Sequence, residues 1–479
     1  MLTYQDFLEV KNRGKQREIY DFILKVINEH RSSDMYKIAL DADEYDKQQN
    51  STIMNYIKYM YNSVGHKVVD FTASNTKICS NFFHRLNTQR NTYLLGNGVY
   101  FSKHKREMLN EDGSTTVIDE TNEKLGDRFD IAVKECGYNG LIHGVCFGFW
   151  DIDHINVLPL TEFAPLWDEE TSELRAGIRF WQLDATKPLM IWFYEEDGFT
   201  KFKKTKTDAT LVEVEPKRGY IKVTKESKLN GVEETRYSNY EGFPIVPLWG
   251  SKLHQSTLVG MKGKIDAYDL VKSGFANDLQ DVAEVYWLLN GASGMDEKDI
   301  SDFRRRLKLN HMAVVDEENS SATPYTQEIP YQARETFLSD IRASIYEDFG
   351  GLDVHTISAG ATNDHIDAGY QPMDEEADDF EYQVTQFILA ILKLAGIDDA
   401  PVFKRNKISN QKEQTDMVLS SAEYLDDETI LNKLPFVTAE EVSSIIAKKD
   451  KEKQEQAEMQ ANALQIMSGA QGGEEPTEE

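Results

Sequence analysis

Three short runs bring together residue types able to do chemistry. Asp151, Asp153 and His154 place two carboxylates and an imidazole within four residues, a donor set a divalent metal would accept. Asp364, His365 and Asp367 repeat that composition beside a run of small residues. On a strand, Asp151 and Asp153 share a face that His154 does not, so the first run reads as carboxylates at a hairpin end. The second reads as a helix cap. Gly96-Asn97-Gly98 has the composition of a phosphate-cradling loop, but the chain contains no G-x-x-x-x-G-K-[ST], and a tight turn between two strands is expected. H-E-x-x-H, G-x-S-x-G and paired Cys/His zinc spacings are absent as well. No metal, no cofactor and no catalytic residue is therefore expected. A catalytic carboxylate pair leaves no local signature, so an acidic hydrolase with a β-rich domain at 141–240 stands as a rival.

The densest basic cluster of the first 400 residues is Arg304, Arg305, Arg306 and Lys308. It has three readings: a solvated helix face, a docking surface for a partner protein, or direct phosphate contact. Four charges alone give little affinity for phosphate. The whole 479-residue chain carries a formal net charge of −29, which argues against tight DNA binding but does not exclude a wall past which DNA slides. Three cysteines, Cys79, Cys136 and Cys146, with no C-x-x-C pair, fit buried thiols rather than a disulfide framework. The first twenty residues are polar and amphipathic, unlike a signal peptide, and no apolar run of membrane-spanning length is present.

The elements that must carry these residues follow from periodicity. Ile265, Tyr268, Phe275, Leu279, Val282 and Tyr286 recur at steps close to a helical period and predict one long helix with an apolar packing stripe, off which Asp266, Asp269 and Asp278 fall. It reads either as one core helix of a large globular domain or as a helix whose neighbours along its length other subunits supply. A small insert follows: a short helix over 295–308, then short strands at 311–315 and 325–329. A second helix is expected after Pro330, a residue suited to a first helical turn, and a stop at Gly350-Gly351. Ser358, Ala359, Gly360, Ala361, Thr362 and Asn363 compose a loop. A third helix resumes after Pro372, its first turns crowded with Asp374, Glu375, Glu376, Asp378 and Asp379 at the positive end of the dipole. Residues 141–240 alternate in short runs that suggest an antiparallel meander, closed by Pro244 and Pro247. Beyond Leu394 come a linker, helical segments, and a tail ending GGEEPTEE with the composition of disorder.

Five segments in order resemble the portal proteins of long-tailed double-stranded DNA bacteriophages, of the siphophage type. NTKICSNFFHRLNTQ followed by YLLGNGVYF is similar to the family's N-x-(K/R)-I…N-F segment and its YLLG strand. GFPIVPLWGSKLHQSTL resembles the lead-in to the stem, and YDLVKSGFANDLQDVAEVYWLLNG the YN…S…ND stem helix. DETILNKLPFVTAEEV resembles the signature of the C-terminal helical region.

The resemblance implies an α+β portal fold with a mixed α/β wing, a two-helix stem, a small α/β clip and a helical crown. The implied divisions are wing 1–250, stem helix 251–290, clip 291–330, second stem helix 331–349, tunnel loop 350–365, long wing helix 366–395, crown 396–467 and acidic tail 468–479. It implies a homo-oligomeric ring of about twelve copies at one capsid vertex. Double-stranded DNA would pass through without sequence specificity, with Ser358 to Asn363 facing it. Arg304, Arg305, Arg306 and Lys308 would dock the terminase large subunit and then the head-completion adaptor. Scaffolding and major capsid proteins are further implied partners, assembly is in the host cytoplasm, and no membrane is involved. The rival to this reading, besides the hydrolase, is a helical scaffold or adaptor without DNA passage.

Overall fold

The computed structural model describes residues 2–61, 64–71, 73–109, 115–226, 233–282, 286–290, 321–325, 330–354, 362–407, 411–421 and 427–434, with isolated positions 296, 298–299, 301, 305, 425, 442, 445–446 and 448–449. The chain is α+β and forms two compact units, one of residues 40–86 with 257–349, the other of 1–39 with 87–256 and 350–479. The 468–479 tail and most of the expected C-terminal helix lie outside the described residues.

In the smaller unit, a hairpin pairs β1 (Tyr59–Tyr61) with β2 (Lys67–Val69). Helix α1 (Lys262–Val282) lies beside α2 (Tyr331–Phe349). Their ends are tied by ion pairs: Arg334 reaches Asp278 at 2.5 Å, and Lys264 meets Asp348 and donates to Ser344 Oγ at 2.7 Å. These ties run α1 and α2 in opposite directions. The helix after Pro330 begins where its proline predicts. The first helix is shorter than its periodicity suggests: it ends at Val282, and Tyr286–Asn290 is a strand paired with Ser321–Tyr325. Tyr286-Trp287-Leu288-Leu289 is β-favouring and alternates sides, so Tyr286 leaves the helical stripe and pairs opposite Tyr325. The expected strand at 325–329 falls outside the described residues except for Tyr325, which ends the strand Ser321–Tyr325, and 295–308 and 311–315 fall largely outside them.

The larger unit holds the expected meander, divided into separate sheets. Five antiparallel strands, Phe163–Trp167, Leu174–Trp181, Leu189–Glu195, Gly198–Lys204 and Val212–Arg218, pair in sequence order. The N-terminal helices Tyr4–Asn12 and Gln16–Ser32 cover one face. Phe22, Ile23, Val26 and Ile27 fall on one stripe and pack with Phe7 against Ile178, Ile191 and Phe193. Val145–Asp151 and His154–Pro159 form a second sheet, and Ile245–Trp249 returns to pair with Val145–Asp151. Pro247 therefore does not close the region. It sits inside an edge strand opposite Phe147, a position where its missing N–H costs no ladder bond on the open side.

Helix α3 (Asn363–Ala395) crosses the core of this unit. It begins well before Pro372, contrary to the sequence expectation. Ile366, Tyr370, Met373, Ala377 and Phe380 form one buried stripe that continues through the proline. That packing outweighs the single hydrogen bond a proline removes. At Gly148 the ring of Phe387 lies so close to the strand that a Cβ would stand 2.5 Å from Cζ, which fixes glycine there. The acids of α3 consequently sit in mid-helix, out of reach of the positive dipole end, and cations from elsewhere neutralise them. Arg405 donates to Asp374 at 2.8 Å and Glu381 at 3.0 Å and also reaches Asp378. Lys407 meets Asp374 at 2.7 Å, and Arg90 lies 3.2 Å from Glu376. The linker after Leu394 is likewise structured: Pro401–Phe403 pairs with Val99–Phe101.

Replacing Arg405 by Ala leaves three carboxylates of α3 without this shared guanidinium. The expected loss is about 2 kcal/mol of unfolding free energy, measured by urea denaturation. Unchanged stability would show that Lys407 alone suffices.

Candidate functional site

Two of the segments that carry the family resemblance, NTKICS and the α1 stretch, meet in the smaller unit. Residues 76–80, the middle of NTKICS, run extended along α1 without pairing to any described strand. An extended run presents its backbone N–H groups alternately, and each needs an acceptor once buried. The helix supplies them from side chains. Ser80 N–H donates to Asp269 Oδ1 at 2.9 Å, Ile78 N–H to Ser273 Oγ at 2.9 Å, and Thr76 N–H to Asn277 Oδ1 at 2.6 Å. The three acceptors are buried and stand four residues apart. Four helical residues advance about 6 Å and two extended residues about 6.6 Å, so each rung meets the next.

This arrangement corrects the expected apolar stripe. Leu258, Met261 and Ile265 are buried as the periodicity requires, but the buried line then continues through Asp269, Ser273 and Asn277. Tyr268 and Phe275 are half-buried beside it. Phe82 packs edge-on against Tyr268 with ring centroids 4.9 Å apart, and the Arg334 guanidinium lies over the Phe275 ring. Leu279 is 56% exposed. Val282 is the last helical residue.

Asp269 also accepts from Asn50 Nδ2, and Asp266, one residue past Ile265, accepts from Tyr45 and from Thr52 Oγ1 at 2.8 Å. Burial holds the Asp269 carboxyl above the usual carboxylate range, although the donors from Asn50 and Ser80 pull it down. The Tyr45 hydroxyl is raised by burial and by its bond to Asp266.

The other expected sites resolve differently. Thr362 caps α3 by accepting from His365 N–H at 3.4 Å, and Asn363 is its first residue. Ser358, Ala359, Gly360 and Ala361 lie outside the described residues, as do Arg304, Arg306 and Lys308; Arg305 is exposed. Asp151, Ile152, Asp153 and His154 make the Val145–Asp151/His154–Pro159 hairpin turn. Ile152 adopts a left-handed φ of 62° there, and His154 Nδ1 bonds Asp153 at 2.8 Å. No cluster able to hold a metal occurs among the described residues. Tyr93, Leu94 and Leu95 end a helix rather than forming a strand, because all three side chains are buried and the Tyr93 hydroxyl donates to Asp374 at 2.6 Å. The glycine turn after them is filled by a carboxylate: Val99 N–H donates to Asp130 at 3.1 Å, and a Cβ on Gly98 would stand 2.6 Å from Asp130 Oδ2. An anion in that place repels phosphate. No described helix is long and apolar enough to cross a membrane.

Comparison with known proteins accounts for this architecture. Residues 36–461 match the family described as phage portal protein, SPP1 Gp6-like. A portal protein of Clostridium phage phiCD119 is 24% identical over 389 residues, covering 76% of this chain and 82% of that one. The portal protein of Bacillus phage SPP1 is 23% identical over 505 aligned positions, covering 95% of this chain and 90% of its own. A solved structure titled as the neck of a native GTA particle computed with C12 symmetry aligns at TM-score 0.37 and 7% identity, covering 74% of this chain and 89% of that chain, a likeness at which neither fold nor function transfers. The class is structural: a head–tail connector of a phage particle, not an enzyme. The chain belongs to the phage portal protein family, SPP1 Gp6-like. The hydrolase rival falls with that assignment.

Two predictions follow from the rungs on α1. Ser273→Ala strands the Ile78 N–H and is expected to cost about 1–3 kcal/mol in urea denaturation, with Asn277→Ala comparable or worse. Asp269 protonates more readily folded than unfolded. Its stabilising contribution is therefore complete below the unfolded carboxylate pKa and is lost as pH rises through the folded value. Asp269→Asn cannot ionise, so over the interval from the unfolded carboxylate pKa, about 4, up to the raised folded one its stability relative to the parent should improve. Parallel stability curves over that interval would show that ionisation of Asp269 is not linked to folding.

Proposed function

We propose that about twelve copies of this chain close into a ring at one vertex of the capsid, through which double-stranded DNA is packaged and later ejected. The observation that carries this reading is the family match over residues 36–461. In this reading α1 and α2 form the stem. The clip is built on the hairpin of Tyr286–Asn290 with Ser321–Tyr325 and carries Arg304, Arg305, Arg306 and Lys308 toward the terminase large subunit and then the head–tail adaptor. The larger unit supplies the wing, with α3 crossing it, and the helices Gln411–Ser420 and Asp427–Lys433 belong to the crown. Ser358 to Asn363, a run that ends in the Thr362 cap and the first residue of α3, approach the DNA. The net charge of −29 favours passage without adhesion, because DNA phosphates meet weak repulsion along the wall. Assembly takes place in the host cytoplasm, nucleated together with scaffolding and major capsid proteins.

Negative-stain electron microscopy of the purified chain should give closed rings with a central hole wide enough for duplex DNA. Monomers that persist at high concentration and with scaffolding protein present would overturn the ring. Replacing the four basic residues at 304–308 by Ala should weaken capture of the terminase large subunit or the adaptor by about tenfold or more. If both bind the variant as before, the cluster is a solvated face.

A further inference from the structure

The strands of the β1–β2 hairpin are exposed at all six residues. Tyr61 and Val64 are each 75% exposed and Phe71 92%. A two-stranded hairpin is marginal in water, and exposed apolar side chains along one stand to gain from cover. Its charge is opposite to that of the chain as a whole: Lys58 and Lys67 flank the aromatic residues against the single acid Asp70, within a chain of net −29. The Lys67 ammonium lies over the Tyr59 ring, 4.2 Å from its centroid, so cation and aromatic form one surface.

The complementary surface is on α2. Phe337 is 44% exposed, and Asp340 and Glu347 are exposed near it. Phe337, Asp340 and Glu347 follow each other by three and seven residues and so share one stripe of the helix, turned from the buried Phe349; Ser344, on the same stripe, accepts from Lys264 of α1. The basic residues of α2 are engaged with its own unit: Arg334 pairs with Asp278, and Arg342 lies over Tyr346.

We infer that the β1–β2 hairpin of one copy seats on the exposed Phe337–Asp340–Glu347 stripe of α2 of the next copy, and that this contact closes the ring. Two different surfaces of one chain that fit each other make a heterologous contact. Such contacts propagate head to tail and close into rings where the rotation allows. The hairpin supplies apolar area and cations, and α2 supplies apolar area and carboxylates. The inference rests on the ring reading above and names the surfaces that build it.

A charge exchange tests it on the full-length chain by native mass spectrometry. Variant one carries Lys58→Glu and Lys67→Glu; variant two carries Asp340→Lys and Glu347→Lys. Each alone opposes like charges at every contact and should lose rings by about tenfold or more. Mixed in equal amounts, the two offer matched contacts only between unlike copies, and rings of alternating composition should return. Phe71→Ser, at a position too exposed to be needed for folding, should also reduce rings with the unfolding temperature unchanged. Rings that form as in the parent in both charge variants would overturn this contact and leave the ring itself standing. Variants that are each monomeric and fail to assemble when mixed would show that the hairpin meets some other surface. A parent chain that never forms rings would remove the ring reading and this contact with it.

Discussion

Buried backbone N–H groups that have no strand to pair with govern the smaller unit. The extended run at 76–80 lies on a helix, and a helix has already used its own carbonyls. Only side chains can accept, and they must recur at the repeat of the extended chain. Asp269, Ser273 and Asn277 do so. Once they are fixed, the rest of the unit has little freedom: the chain direction is set, Phe82 is delivered onto Tyr268, and Asn50 is drawn to Asp269. An apolar residue at any of the three positions would pack well and still leave a donor stranded, which is the more expensive error. This explains why a polar line lies buried where helix periodicity alone would call for an apolar one.

Much of the architecture was legible in the sequence where a local rule had no competitor. Pro330 marked the start of α2. The alternating aromatic and β-branched runs between Val145 and Arg218 marked strands, and the apolar spacing of α3 marked its buried face. The failures share a cause, which is that a distant partner decided the outcome. Pro372 stays inside α3 because Tyr370 and Met373 are buried on either side of it. Pro247 is tolerated because its strand became an edge. Tyr93 ends a helix because Asp374, nearly three hundred residues away in the chain, receives its hydroxyl at 2.6 Å. Pro401–Phe403 was taken for linker because its partner strand, Val99–Phe101, stands far off in sequence.

Charge was legible as a total and not as an arrangement. The acid-rich run at 374–379 suggested a helix start, and the structure places it in mid-helix with Arg405, Lys407 and Arg90 brought in from other segments. The Asp-x-Asp-His turn had the composition of a metal site and serves as a tight hairpin. Of the residues expected to face DNA or the motor, Thr362 turned out to have a structural duty as the cap of α3, a role that Thr and the following Asn-Asp announce locally. What the sequence did disclose about function came from several short segments in the right order. Two of those segments, so far apart in the chain, prove to be the two halves of the same set of rungs.

The rungs on α1 also work as a vernier. Two rulers of unequal pitch, about 6.0 and about 6.6 Å, agree at one mark and drift by about half an ångström at each mark after it. Residues four apart also wind about 40° around a helix, so each successive acceptor turns further from a straight strap. Three marks can be held within hydrogen-bonding tolerance, and a longer straight strap would fall out of step. The clasp therefore has a natural length set by the mismatch of helix and strand. Shifting the extended segment by one residue would turn every donor to the wrong side at once, so the register is held all together or not at all.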